Sequence, residues 1–226
     1  MSNPLYFKQV QLGPMANYVY LVGDAITRKV AVVDPAWDID AILKIAAQDD
    51  VEITHALVTH YHPDHVGGQI FGYNIAGLAG LLAKQPVRVV VNKHEAAGVR
   101  QVTGVSESDL VKVEGGDTLT IGETEIRFLH TPGHTPGSQC FLVGDHLVSG
   151  DTLFIGGCGR VDLPGGDAGA LYDSLNNVLM KLPDQTLLYP GHAYSDIPWS
   201  QMGREKQTNH YLKVPSREAW LSLMGR

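Results

Sequence analysis

Two cysteines in 226 residues, Cys140 and Cys158, are too few for a disulfide framework and fit a reducing compartment. No apolar run is long enough to cross a bilayer, and Met1 to Val10 holds no basic-then-apolar leader, so a cytosolic protein is expected. Lys and Arg number 17 against 24 Asp and Glu, a formal charge of −7. With no Lys/Arg stripe, that balance speaks against a nucleic-acid footprint, though a few local cations can still receive an anionic small molecule. There is no Gly-x-Ser-x-Gly, so neither Ser138 nor Ser149 reads as an activated nucleophile. Repeats, low-complexity tracts and a dividing linker are also missing, and one domain over residues 1–226 is the reading.

The hydrophobic fraction, 44%, is that of an ordinary folded protein. Short apolar segments separated by turn residues, Leu5 to Gln11, Asn17 to Val22 and Val30 to Asp34, read as strands. Helical spacing follows Asp34-Pro35, and Ile53 to His60 is a further strand. Ile70 to Ala83 reads as helix despite Gly72, Gly77 and Gly80; Asn92 is expected to cap a helix reaching Arg100. Strands return from Leu110 to Ser149. A helix over Ala168 to Leu182, a strand at Thr186 to Tyr189 and helical segments near Gly203 to Leu212 and Ser216 to Leu223 close the chain. Two similar halves, each a sheet with helices outside, give an α+β class with two packed sheets.

His60, His62, Asp64 and His65 fall within six residues at the end of a strand. Pro63 stops that strand and Asp64 is expected to cap the helix that follows, so the side chains sit at a corner where they can converge. Neutral imidazole and carboxylate are what zinc and iron(II) accept as ligands. Three further polar residues each follow a strand: His134 between two Pro-Gly turns, Asp151 in Gly150-Asp151-Thr152, and His192 in Tyr189-Pro190-Gly191-His192. Strand ends are where sheet architectures gather functional groups.

The ordered set His60-x-His62-x-Asp64-His65, His134, Asp151 and His192 resembles the metallo-β-lactamase superfamily over nearly the whole chain. The resemblance implies an αββα sandwich with metals at one edge. It implies that His60, His62 and His134 hold one ion, that Asp64, His65 and His192 hold a second, and that Asp151 bridges them. Gly150-Asp151-Thr152-Leu153-Phe154 and Gly157-Cys158-Gly159-Arg160 are similar to glyoxalase II-like thioesterases. Gly-Cys-Gly-Arg-x-Asp is also similar to persulfide dioxygenases, in which one iron would take only His60, His134 and Asp151.

The expectation is therefore a hydrolase of small thioesters or other thiol conjugates using two divalent ions, zinc or iron. Asp64 would orient the attacking hydroxide and Asp151 would share its charge. A mononuclear iron(II) dioxygenase and a non-catalytic metal-binding module are the alternatives, and a homodimer stays open. Cys158, Arg160 and Tyr194 are the candidate substrate contacts, with the alternative that Arg160 pairs with Asp162 and Cys158 merely fills a glycine-rich turn. Departures from the resemblance are Ala193, where many relatives are acidic, Asn209-His210 in place of Asn-Pro, and a chain ending soon after Trp220; they bear on whether glutathione is the thiol carrier. His55, His94, His146 and His210 fit no ligand position, and His130 fits none unless it supports a metal-bound group from behind.

Overall fold

The chain enters as a meander of β1 (Leu5–Leu12), β2 (Asn17–Asp24) and β3 (Lys29–Val33), followed by α1 (Ile39–Gln48) and the parallel strand β4 (Glu52–Leu57). After α2 (Pro63–Val66) come a hairpin of β5 (Gly68–Ile70) and β6 (Tyr73–Ile75), then α3 (Leu78–Leu82). The sheet is completed by β7 (Arg88–Asn92) and, across α4 (Ala96–Thr103), by β8 (Leu110–Val113), in the order β1-β2-β3-β4-β7-β8. The second half adds β9 (Thr118–Ile121), β10 (Thr124–His130), β11 (Gln139–Val143) and β12 (His146–Gly150). A short hairpin of β13 (Leu153–Phe154) and β14 (Gly157–Cys158) precedes α5 (Ala168–Asp173), β15 (Leu187–Pro190), β16 (Ser200–Gln201), α6 (Met202–Thr208) and α7 (Arg217–Met224). This sheet runs β16-β15-β12-β11-β10-β9, with β12 and β15 parallel. These are the elements of a computed structural model that describes residues 5–225; readings at Met1–Pro4 and Arg226 lie outside the described residues.

Three apolar layers explain why β2 and β3 lack a polar face. Val19, Leu21, Val30 and Val32 point into a core shared with Ile39, Ile42 and Val99 of the outer helices. Their neighbours Tyr20, Val22, Ala31 and Val33 point the other way, onto Phe128, Phe141 and Val148 of the second sheet. Leu129, Cys140 and Leu147 on that sheet's far side pack under Leu171, Leu175 and Trp220. Period-two alternation with both faces covered thus gives helix, sheet, sheet, helix: the expected αββα sandwich. No helix among the described residues is long and apolar enough to cross a membrane.

The helix expected over Ile70 to Ala83 is a correction. Gly67 and Gly68 (φ 88° and 129°) and the turn residues Phe71 and Gly72 (φ 49° and 81°) have left-handed torsions that a helix excludes, and they fold the segment into the β5–β6 hairpin. Only Leu78–Leu82 is helical. Two caps also differ. His62, not Asp64, precedes α2, with Pro63 in its first turn, which turns the Asp64 carboxylate inward. Asn92 Oδ1 accepts the His94 N–H in a turn, and α4 starts only at Ala96. The helix at Ala168 to Leu182 forms, but it widens into a π segment at Ser174–Val178 and tightens at Leu179–Lys181.

Candidate metal centre

The ends of β3, β4, β10, β12 and β15 give rise to loops that bring the polar residues together. His60, His62 and His134 present ring nitrogens within 4.8 Å of one another, and so do the ligand atoms of Asp64, His65 and His192. Asp151 lies between the two groups. Its Oδ2 is 3.7 Å from His134 Nε2 and 3.4 Å from His192 Nε2, and its Oδ1 is 3.4 Å from His65 Nε2. All seven residues placed at the site from the sequence therefore converge.

Hydrogen bonds around the rim fix which nitrogen of each ring looks inward. Asp34 takes the Thr59 N–H on Oδ1 (2.8 Å) and the Thr59 hydroxyl on Oδ2 (2.6 Å). Because that hydroxyl has spent its proton, its oxygen accepts from His60 Nδ1 (3.0 Å), which leaves His60 Nε2 bare. Asp34 Oδ2 also takes the His65 Nδ1–H (2.9 Å). His134 Nδ1 donates to the Arg160 carbonyl (2.7 Å) and His192 Nδ1 to the Met15 carbonyl (2.9 Å). Four imidazoles thus turn an unprotonated Nε2 toward one space, the arrangement by which outer partners orient metal-binding histidines.

That space fits a cation. His60 Nε2 and Asp151 Oδ1 are buried and have no hydrogen-bond partner among the described residues. The bare nitrogens crowd each other: His62 Nδ1 is 3.0 Å from His134 Nε2, and His65 Nε2 is 3.2 Å from His192 Nε2. Lone pairs facing at that distance repel unless a positive charge sits among them, and nitrogen and carboxylate donors are the ligand types of zinc and iron. Asp34 also lies within reach of His60 and His65. Both of its oxygens are occupied, so it acts on them from behind.

Without a metal, protons take that role. Burial alone would lower His65, but the Asp64 and Asp151 carboxylates override it and hold the ring protonated well above its usual range. The same balance, burial against Asp151 and Asp64, carries His192 up to about 9. On the other side, burial together with neighbouring imidazoles pushes His60 well down and His62 to about 4. Burial opposes ionisation of the carboxylates, yet His65 and His192 hold Asp151 at about 2, and His65, His192 and Asn17 hold Asp64 well below the carboxylate range.

Beside the centre lies a cavity of about 460 Å³ lined by His134, Asp151, Phe154, Cys158, Arg160 and Tyr194, and also by His210 and Tyr211. Tyr194 stacks on His192 (4.6 Å, 9° between planes). Burial and the Asp151 and Asp64 charges push its hydroxyl up to about 12, so it stays a donor at neutral pH. The Arg160 guanidinium is held by both oxygens of Asp162 (2.6 Å each) on an exposed rim, as the pairing alternative has it. Burial pushes the Cys158 thiol up to about 12, which keeps it from acting as a nucleophile. His210, set aside in the sequence, lines the cavity, whereas His130 stacks on His94 and faces the Pro136 carbonyl, away from the ligands.

Four contributors were missed. Asp34 and Asn17 contact the converging residues from behind, Trp37 holds Asn17 in turn, and Glu95 ties two of the loops by accepting from Tyr61 N–H, the Thr135 hydroxyl and Gly137 N–H at 2.7, 2.8 and 2.6 Å. The one available signal was Asp34, a carboxylate just past a strand, like Asp151.

The sequence profile of the Metallo-beta-lactamase superfamily matches residues 12–192, and the chain belongs to that superfamily. It is 34% identical to a probable hydroxyacylglutathione hydrolase of Schizosaccharomyces pombe, over 92% of this chain and 86% of that one. With the mitochondrial persulfide dioxygenase ETHE1 of Homo sapiens it shares 29% identity over 98% and 81%. The crystal structure of ETHE1 from Myxococcus xanthus superposes with a TM-score of 0.82 at 34% identity, covering 98% of this chain and 90% of that one.

Proposed function

We propose that the protein is a hydrolase of small thioesters that works with two divalent ions, zinc or iron. The observation that carries this reading is the pair of ligand groups flanking Asp151, with His60 Nε2 and Asp151 Oδ1 buried between them and without a hydrogen-bond partner among the described residues. His60, His62 and His134 would hold one ion, Asp64, His65 and His192 the other, and Asp151 both. A divalent pair bound there supplies an acidified water and a Lewis acid for a carbonyl. The chain's own groups do the rest. Asp64, ionised and fixed at Oδ2 by Asn17, would orient a water proton. The Tyr194 hydroxyl, still protonated, donates to a substrate oxygen or to the departing sulfur from the exposed side of the cavity. Arg160 sits where a terminal carboxylate of a thiol conjugate would exchange with Asp162. No side-chain nucleophile is required, which agrees with the protonated Cys158.

Turnover of S-lactoylglutathione and other acyl thioesters by zinc- and by iron-loaded protein tests this; no turnover with either metal removes it. The run Gly157-Cys158-Gly159-Arg160-x-Asp162, with the similarity to a persulfide dioxygenase, favours a second reading: one iron at His60, His134 and Asp151. Oxygen uptake with glutathione persulfide by an iron-loaded chain holding one ion decides for it.

A further inference from the structure

One loop and one turn serve the second ligand group. Asn17, at the start of β2 and 2% exposed, donates from Nδ2 to Asp64 Oδ2 (3.0 Å) and lies 3.3 Å from His65 Nε2. Its Oδ1 faces the Trp37 indole N–H at 2.9 Å. An indole nitrogen only donates, so the atom it meets must be the carbonyl oxygen, and the NH₂ is thereby forced toward Asp64. Trp37 is itself held in place. Its backbone is left-handed (φ 73°), an outlier for a bulky residue, and its N–H is bonded to the Ala76 carbonyl (2.8 Å). The indole beds on Gly13, where a Cβ would come 2.3 Å from the ring. The same β1–β2 turn supplies the Met15 carbonyl that fixes His192. The first group has its own supports, Thr59 and the Arg160 carbonyl, and neither Asn17 nor Trp37 hydrogen-bonds to it among the contacts described.

We propose that Asn17, oriented by the Trp37 indole, is the positioning residue that sets occupancy of the Asp64–His65–His192 group and leaves the His60–His62–His134 group unaffected. The amide N–H fixes the same Asp64 oxygen, Oδ2, that lies 3.4 Å from both His65 Nε2 and His192 Nε2, and so sets the direction in which that oxygen is offered. Without that bond the carboxylate is free to rotate and carry Oδ2 away from the two imidazoles. This inference rests on the two-ion reading above.

The test is zinc binding by competition with a chromophoric chelator, comparing wild type, Trp37→Phe and Asn17→Ala, with the retained ion located by anomalous diffraction. Trp37→Phe removes the indole N–H and keeps an aromatic ring at the position, so it guards against a folding failure in Asn17→Ala. The expected result is two ions in wild type. In both variants the second dissociation constant should rise about 10- to 100-fold, while the first stays within about threefold. The retained ion should sit at His60, His62 and His134, and the metal-free melting temperature of Trp37→Phe should be close to wild type. Two ions in wild type with both constants unchanged, or both weakened alike, overturn this inference and leave the two-ion reading standing. A wild type that binds a single ion overturns both.

Discussion

Asp34→Asn changes one atom and should disable histidines on both sides of the centre. The backbone is not at issue, since asparagine tolerates the left-handed torsion (φ 51°) that Asp34 adopts. The Thr59 N–H must meet an acceptor at 2.8 Å, so the amide oxygen takes the place of Oδ1 and the NH₂ takes that of Oδ2. Oδ2 now receives the Thr59 hydroxyl at 2.6 Å and His65 Nδ1–H at 2.9 Å, and an NH₂ there confronts both with a donor. The hydroxyl turns round to accept, and its proton then points at His60 Nδ1. Both rings can relieve the clash only by moving their proton to Nε2, the nitrogen that must stay bare to bind a cation. One unmade buried hydrogen bond costs about 1–3 kcal/mol of stability, and loss of an orienting partner typically costs 10–100-fold in metal affinity. The assay is chelator competition for zinc alongside thermal unfolding of metal-free protein. Both ions should weaken in Asp34→Asn, in contrast to Trp37→Phe. Affinities within about threefold of wild type would refute the tautomer argument.

Metal binding should show a proton cost. His192 in the metal-free fold is raised from 6.5 to about 9, and His65 moves the same way, so apparent zinc affinity should climb with pH from 6.5 through about 9; a flat profile over that range would contradict this. A raised histidine stabilises the metal-free fold below pH 6.5, and this contribution disappears as pH rises through about 9. Asp151, lowered to about 2, has the opposite sign: its contribution is present above its ordinary 3.8 and lost as pH falls toward 2. Melting curves of metal-free protein should therefore decline from pH 6.5 to 9, and those of metal-loaded protein should not. Gly191→Ala would place a Cβ 2.3 Å from Asp151 Oδ1 and 2.9 Å from the Gly150 backbone, so titrations should show weaker binding of both ions. Cys158→Ala should leave thioester turnover within about threefold, since a thiol held up to about 12 is not a nucleophile at neutral pH; a hundredfold loss would assign it a chemical role.

The strands and the residues that converge at the centre were legible because they are local signals: alternation along β2, turn residues between segments, and polar residues just past strands. What escaped was non-local. Asp34 meets His65 and Asn17 meets Asp64 across separations of 31 and 47 residues, and Trp37 meets Asn17 across 20. The β5–β6 hairpin was hidden for another reason. Its apolar residues imitate a helix, and only the left-handed torsions at Gly67, Gly68, Phe71 and Gly72 reveal the turn. His210 was discarded for lacking a ligand position, yet Asn209 anchors that segment to the Phe154 and Gly157 carbonyls (3.2 and 3.0 Å), which brings His210 onto the cavity wall.

Elemental analysis of metal per chain, on protein purified without added metal and again after zinc loading, bears most directly on the paired-ligand centre. Two ions per folded chain after loading, falling toward zero in Asp151→Ala together with thioester turnover, is the predicted result. A folded chain that stays metal-free in excess zinc, or an Asp151→Ala variant that keeps both ions and full turnover, would contradict it.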